Sequence, residues 1–181
     1  PDSAGRNRMD QARALRVAAE AFDLWQEGCL SEAEERYGDA LADADPGHYR
    51  TPDIHGQYAG LLTRLNRLTE AGRHYERALQ LELQNESAEA HPAVVAARYF
   101  LGEHYLRMGE PESARRVVAL SLVAAQKPLA WLVEAEALFL SGSTGDARAA
   151  GERALALSAN TEQRERIRVR LSELWQDSEA G

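Results

Sequence analysis

Apolar residues recur along this chain at a spacing that fits short helices arranged in pairs. Val17, Ala21 and Leu24 lie at positions i, i+4 and i+7 and so share one face of a first helix. Gly28 follows them, and glycine readily adopts the left-handed conformation that ends many helices. Prolines at 52, 92, 111 and 128 stand where later helices should begin, because proline suits the first helical turn. The pattern predicts an all-α protein.

The same short pattern occurs four times. Each copy holds a small residue, a large apolar residue, a turn residue, an alanine and a leucine at fixed offsets. The five columns are Ala21, Ala59, Gly102 and Ala135; Leu24, Leu62, Tyr105 and Leu138; Gly28, Asn66, Gly109 and Gly142; Ala33, Ala71, Ala114 and Ala147; and Leu41, Leu79, Leu122 and Leu155. Small residues let paired helices approach closely, and large ones fill the facing gaps. The chain is therefore a tandem helical repeat.

These copies define the expected domain. Residues 1–8 are polar without apolar periodicity and read as an N-terminal tail, whereas residues 9–177 form one repeat domain. The four repeats span about 14–47, 52–86, 92–126 and 128–159. Residues 160–177 form an unpaired capping helix, whose apolar stripe of Ile167, Leu171, Leu174 and Trp175 shields the last repeat from water. The arginines at 164, 166, 168 and 170 spread over two sides of this helix and read as a solvated surface.

Two helix starts carry capping signals. Ser31 and Glu34 have the spacing of a capping box, in which each side chain accepts a hydrogen bond from the other residue's backbone N–H. Thr51 precedes Pro52 and reads as an N-cap. Both signals place helix starts where the repeat pattern requires them.

The columns resemble the tetratricopeptide repeat, a helix–turn–helix unit of about 34 residues. In the third copy Leu101, Gly102, Tyr105, Ala114 and Pro128 match that family's pattern, although Arg98 stands where a tryptophan is typical. Successive column alanines are 38, 43 and 33 residues apart, and the longest step resembles the repeat variant of kinesin-light-chain-like proteins. The resemblance implies a right-handed α-solenoid of four antiparallel helix pairs plus the C-terminal capping helix. It also implies a concave groove, lined by the first helix of each pair, that holds a peptide or a partner helix.

Charge and motifs argue against several other functions. The net charge of −8 and the pI near 5.2 disfavour binding to nucleic acid or to anionic membranes. Cys29 is the only cysteine, the five histidines include no pair three or four residues apart, and no HExxH motif occurs. The glycine-rich stretch at residues 142–145 lacks the lysine of a phosphate loop. We therefore expect no catalytic residues, no metal site, no cofactor and no enzyme activity.

The stripe next to the packing face of the first helices supplies the predicted partner-binding residues. They are Phe22, Trp25, Arg64, Tyr99, Glu103, Arg107, Glu136 and Phe139. Exposed aromatic residues and arginines are typical binding hot spots. The two arginines would pair with acidic groups of a partner, and the two glutamates would select basic ones. Alternatively, Phe22, Trp25 and Phe139 pack between neighbouring repeats. This face has no lysine or asparagine, which argues against the family's carboxylate-clamping subset.

Three functions remain open at this stage. The first is a non-catalytic module that binds another protein or peptide in its groove. The second is a regulatory or sensor segment of a larger protein, which binds a small signal or a neighbouring domain. The third is a self-associating scaffold, a homo-oligomer in which Trp175 docks on a second copy. We expect no membrane insertion, because no apolar run of about 20 residues occurs. We expect a cytoplasmic location, and, since the sequence begins with Pro1, removal of an upstream segment.

Overall fold

The structure, a computed structural model, describes residues 3–85, 88–124 and 127–177. Within these ranges the chain forms nine α-helices and no strand. They are α1 (Ser3–Glu27), α2 (Leu30–Asp43), α3 (Thr51–Arg64), α4 (Leu68–Gln84), α5 (Pro92–Arg107), α6 (Pro111–Ala124), α7 (Pro128–Leu140), α8 (Thr144–Ala156) and α9 (Thr161–Asp177). The predicted all-α class is confirmed. Residues 1–2 of the expected tail and the expected repeat ends at 86 and 126 lie outside the described residues.

The turn column closes each helix pair through local backbone geometry. Gly28, Asn66, Gly109 and Gly142 have φ values of 86°, 58°, 72° and 82°. In every copy, the carbonyl oxygen of the large apolar column residue accepts a hydrogen bond from the N–H five positions later, as in Cys29 to Leu24 at 2.9 Å. This bond belongs to the Schellman motif, which needs a left-handed residue just before its donor. The fixed spacing of these two columns is thus a requirement of the turn.

The chain divides into two compact units, Pro1–Ser87 and Ala88–Gly181, which we call unit 1 and unit 2. Unit 1 consists of the pairs α1/α2 and α3/α4, and unit 2 of the pairs α5/α6 and α7/α8 followed by α9. The small-residue and alanine columns are buried in both units. In unit 2, a Cβ on Gly102 would lie only 3.0 Å from a Val133 methyl carbon, so α5 and α7 approach as closely as that position allows.

The last helix covers the end of unit 2. Ile167 and Leu171 of α9 are buried against the apolar residues of α7 and α8. Leu171 lies directly over Gly151, where a Cβ would come within 3.1 Å of its methyl carbon. The apolar stripe predicted from the sequence therefore faces the preceding repeat, as a capping helix requires.

Three local expectations were wrong. The first helix begins at Ser3 rather than Met9. Cys29, not Ser31, is the N-cap of α2, and no side-chain capping bond forms there, since Glu34 pairs instead with Arg67. Thr51 is the first residue of α3 rather than its cap, and its hydroxyl donates to the Asp45 carbonyl oxygen at 2.6 Å.

Arg98 occupies the position where the repeat pattern calls for tryptophan. Its guanidinium is buried and donates two hydrogen bonds to the Glu89 carboxylate, at 2.9 and 2.8 Å. A third bond reaches the Val117 carbonyl oxygen in α6 at 3.0 Å. A hydrogen-bonded arginine therefore joins α5 to α6 at the position where the repeat pattern has an aromatic ring.

Candidate partner-binding surfaces

A cleft of about 170 Å³ lies between α1 and α3 in unit 1. It is lined by Leu15, Ala18, Ala19, Phe22, Asp23, Arg50, Asp53, Ile54 and Gln57. Its buried floor includes Ala18 and Ile54, whereas the Phe22 ring is 39% exposed. Of the predicted partner-binding residues, Phe22 thus lines an open depression with an apolar floor and charged groups along its rim.

Trp25 stands beside this cleft but packs inward. Its ring meets Phe22 edge to face, with ring centres 5.9 Å apart. The far end of the indole packs directly against α3 at Gly60. A Cβ at that position would lie only 2.7 Å from Cη2 of Trp25. Trp25 therefore fills the space beside Gly60. This residue follows the alternative of packing between repeats.

The two predicted arginines, Arg64 and Arg107, are both exposed near the C-terminal ends of α3 and α5. Neither makes an ion pair with another residue in the described ranges. Positive charge near a helix C-terminus is stabilised by the helix dipole. Both side chains remain available to a partner's acidic groups.

In unit 2, three predicted residues converge on Arg170 of α9. Nη2 of Arg170 donates to both carboxylate oxygens of Glu103 and to Oε2 of Glu136, each at 2.7 Å. Its Nε lies 2.5 Å from Oε1 of Glu136. Tyr99 lies beside this cluster, and Arg170 is among the groups that affect the pKa of its hydroxyl. The face predicted to receive a partner is thus engaged by the chain's own last helix.

Burial sets the electrostatics of this cluster. Glu136 is only 8% exposed, and this burial raises its pKa to about 7, with a smaller contribution from Glu103 and an opposing one from Arg170. Burial disfavours the charge on Arg170, but the two carboxylates outweigh it and raise the pKa of the guanidinium. Burial also raises the pKa of Tyr99. The cluster therefore holds Arg170 charged and lets Glu136 exchange a proton near neutral pH.

Sequence reasoning treated Arg170 as a solvated surface residue, and this was wrong. The missed signal is its spacing from Glu103 and Glu136, which lie 67 and 34 residues earlier. Residues separated by whole repeats occupy equivalent positions on successive first helices. The alternating spacing of the arginines on α9 does not reveal these contacts, because it concerns positions within one helix only.

Phe139 also contacts α9. Its ring meets Trp175 at a centre distance of 5.5 Å in a T-shaped arrangement. The Trp175 ring in turn carries the Arg148 guanidinium on its face, 5.0 Å from the centre. Both aromatic residues are therefore engaged within unit 2, where the sequence had suggested that Trp175 could dock on a second copy.

The comparisons with known proteins agree with this architecture. A family model described as the tetratricopeptide repeat matches residues 50–127. Residues 50–127 are tetratricopeptide repeats. No curated protein is found to match this chain.

Solved structures with the same fold cover nearly the whole chain. PilF of Pseudomonas aeruginosa aligns with a TM-score of 0.65 and 23% identity over 92% of this chain and 70% of PilF. BtubC (BKLC) from P. vanneervenii aligns with a TM-score of 0.69 and 18% identity over 98% of this chain and 85% of BtubC. At such identities the likeness concerns the fold alone, and it confirms an all-α repeat of antiparallel helix pairs.

Within residues 50–127, the fold brings together two histidines that lie 19 residues apart in the chain. Nδ1 of His55 in α3 lies 2.8 Å from Nδ1 of His74 in α4, and the Tyr58 ring meets His74 edge-on. Burial lowers the pKa of His55 to about 4, helped by His74 and Arg77, and burial also lowers the pKa of His74. In the part of the chain that the structure describes, no three His, Cys, Asp or Glu residues form a metal-binding group. The pair is a hydrogen bond between neutral rings.

None of the described helices is both long and apolar enough to cross a membrane.

Proposed function

We propose that this chain is a non-catalytic interaction module that binds a peptide or partner protein at the cleft between α1 and α3. Tetratricopeptide repeats are in general non-catalytic, protein-binding repeats. The observation that carries the proposal is the Phe22 ring, which is 39% exposed above a buried apolar floor. Aromatic residues in such positions are typical anchors, because a partner can desolvate them at little entropic cost.

The remaining predicted residues divide between two roles in this proposal. Trp25 supports the cleft from behind, since its ring packs against Gly60 and Phe22. Arg64 and Arg107 do not line the cleft; they are exposed cations and would contact acidic groups that the partner presents outside it.

The four predicted residues of unit 2 that contact α9 have a different status. Tyr99, Glu103, Glu136 and Phe139 are engaged by Arg170 or Trp175. A partner could reach them only by replacing these contacts, which would expose the buried Glu136 without its cation. We therefore assign the primary contact to unit 1.

The test compares two serine variants in affinity capture from a lysate of the source cell. Phe22→Ser removes the exposed ring of the cleft, whereas Leu140→Ser removes a 54% exposed apolar residue in unit 2. Phe22 is a better probe than Trp25, because replacing an inward-packed ring would disturb the fold itself. Both variants should have melting temperatures close to that of the wild type.

We expect one partner to be retained by the wild type and by Leu140→Ser and lost by Phe22→Ser. Cross-linking of the retained complex should join the partner to α1 or α3. Retention of the same partner by all three proteins would show that binding uses another face. Loss of the partner by Leu140→Ser alone would move the site to unit 2.

A further inference from the structure

We propose that the occupant of the cleft between α1 and α3 is a basic amphipathic segment, in which an apolar side chain is flanked by lysine or arginine. This inference rests on the proposed function and names the chemistry of its partner. The cleft provides an apolar floor and the Phe22 ring for the apolar side chain.

Negative charge is concentrated in unit 1. Residues 1–87 contain 16 acidic and 10 basic residues, a net charge of −6, whereas residues 88–181 contain 13 acidic and 11 basic residues, a net charge of −2. Most of the chain's net charge of −8 therefore belongs to the unit that contains the open cleft. A field of this sign attracts cationic segments and speeds their association.

Five carboxylates at or next to the cleft make no ion pair with the residues that the structure describes. Asp23 lines both the cleft and an adjacent depression of about 410 Å³ between α1 and α2, whose other acidic residues are Glu20, Glu27, Glu32 and Glu35. These five residues make no ion pair with other described residues.

The nearby arginines do not neutralise this rim. Arg50 lies 3.6 Å from Asp53 and Arg36 lies 3.8 Å from Asp39, each within its own helical turn. A partner's cations would therefore meet free carboxylates beside an apolar anchor site.

Unit 2 shows how this fold binds such a cation. There the carboxylates of Glu103 and Glu136, on successive first helices of the pairs, hold the guanidinium of Arg170 beside the Tyr99 ring. Unit 1 has similar residue types at other positions of the repeat: the Phe22 ring, Asp23 on α1, which is unpaired among the described residues, and Asp53 on α3, which lies 3.6 Å from Arg50. We infer that a partner supplies to unit 1 the kind of side chain that α9 supplies to unit 2.

The probe is a fluorescein-labelled helical peptide of leucine and lysine, about 14 residues long so that it spans about 20 Å as a helix. Its counterpart carries glutamate in place of every lysine. Fluorescence anisotropy gives the Kd at about 0.15 M salt, where long-range attraction is screened. Amide NMR shifts of the labelled chain locate the bound peptide. We expect the lysine peptide to bind at least about tenfold more tightly than the glutamate peptide, with shifts centred on α1 and α3.

Matched charge variants separate a defined site from general attraction. Glu20→Gln with Asp23→Asn removes two charges beside the cleft, and Glu152→Gln with Glu173→Gln removes two exposed, unpaired charges in unit 2. We expect the first pair to raise the Kd of the lysine peptide at least about fivefold and the second less than about twofold. Phe22→Ser should weaken binding without changing the charge.

Equal losses in the two charge variants, or shifts spread over both units, would overturn the proposal, because they indicate attraction to an acidic surface. Tight binding of the glutamate peptide would overturn it as well. If the captured partner is lost in Phe22→Ser but the lysine peptide does not bind the cleft, the proposed interaction function is supported and the proposal of a basic partner is refuted. If the lysine peptide binds as expected but capture shows no dependence on Phe22, the proposed function fails separately.

Discussion

Replacement of Arg170 by methionine tests the charged cluster that joins α9 to α5 and α7. The change keeps most of the aliphatic stem and removes the guanidinium that Glu103 and Glu136 share. Breaking a fully buried ion pair typically costs about 3–5 kcal/mol. Here the Arg170 side chain is 36% exposed, and water reduces that value. We therefore expect Arg170→Met to lower the free energy of unfolding by about 2–3 kcal/mol at pH 8.

The loss of stability in Arg170→Met should depend on pH, because a protonated Glu136 is neutral and can stay buried without a cationic partner. Burial already raises the folded-state pKa of Glu136 to about 7, above its ordinary value of 4.5. The folded chain therefore binds more protons than the unfolded chain between these values, and its stability from this group rises as the pH falls. Without Arg170 the pKa of Glu136 rises further. At pH 5 the Glu136 carboxyl is mostly neutral with or without Arg170, so the cost should fall to about 1 kcal/mol, which reflects mainly the lost bonds to Glu103.

Urea denaturation followed by circular dichroism at pH 8 and pH 5 measures both values. Arg168→Met is the control, since Arg168 lies on the same helix, is 62% exposed and pairs only with Glu165 among the described residues. It should cost less than about 0.5 kcal/mol at either pH. Equal losses of unfolding free energy in the two variants, or a larger loss for Arg170→Met at pH 5 than at pH 8, would refute this prediction. Adding Glu136→Gln to Arg170→Met should restore part of the stability at pH 8, because the amide carries no charge to desolvate.

Three further predictions concern other parts of the fold. Gly102→Ala should destabilise unit 2 by about 1–3 kcal/mol through overpacking. Gly38→Ala, at an exposed helical glycine with open space around it, should instead stabilise by about 0.5–1 kcal/mol. Equal shifts of the melting temperature in the two variants would contradict this. His55, with its folded pKa of about 4, makes stability fall as the pH drops from 6.5 to 4, by about 1–2 kcal/mol after allowing for its partial exposure. Ring NMR should show it titrating near 4, and a midpoint near 6.5 would contradict the pairing with His74. Arg98→Met should cost about 1–3 kcal/mol in urea denaturation, since it removes three hydrogen bonds of a buried guanidinium to the Glu89 carboxylate and the Val117 carbonyl oxygen. A neutral effect would show that these bonds contribute nothing.

Local chemistry explains why the repeat pattern was readable from the sequence. The turn at Gly28 needs a left-handed residue, and its closing bond always returns to the residue four positions before it, here Leu24. Both requirements act within six consecutive residues, so they leave fixed columns in the sequence. The small residues of the packing columns, such as Ala21 and Gly102, are likewise dictated by the close approach of paired helices.

The candidate site was less predictable, because its residues meet through rotations and spacings of whole helices. Phe22 and Trp25 are three residues apart on the same helix, yet one lines an open cleft and the other packs on Gly60. Their roles differ because α3 passes close to one ring and not to the other. The helical period places both residues on the same broad face of α1, and it cannot distinguish the exposed ring from the one that packs inward.

The sequence by itself determined the all-α class, the four helix pairs, their turns and the capping helix, since each depends on residues close together in the chain. Only the tertiary structure decided that Arg170 meets Glu103 from 67 residues away, that His55 meets His74, and that Glu34 pairs with Arg67 rather than capping its own helix. Contacts of this kind depend on how helices rotate and approach after the chain folds. Small residues permit that approach, but which polar side chains then meet follows from the packing of the whole unit.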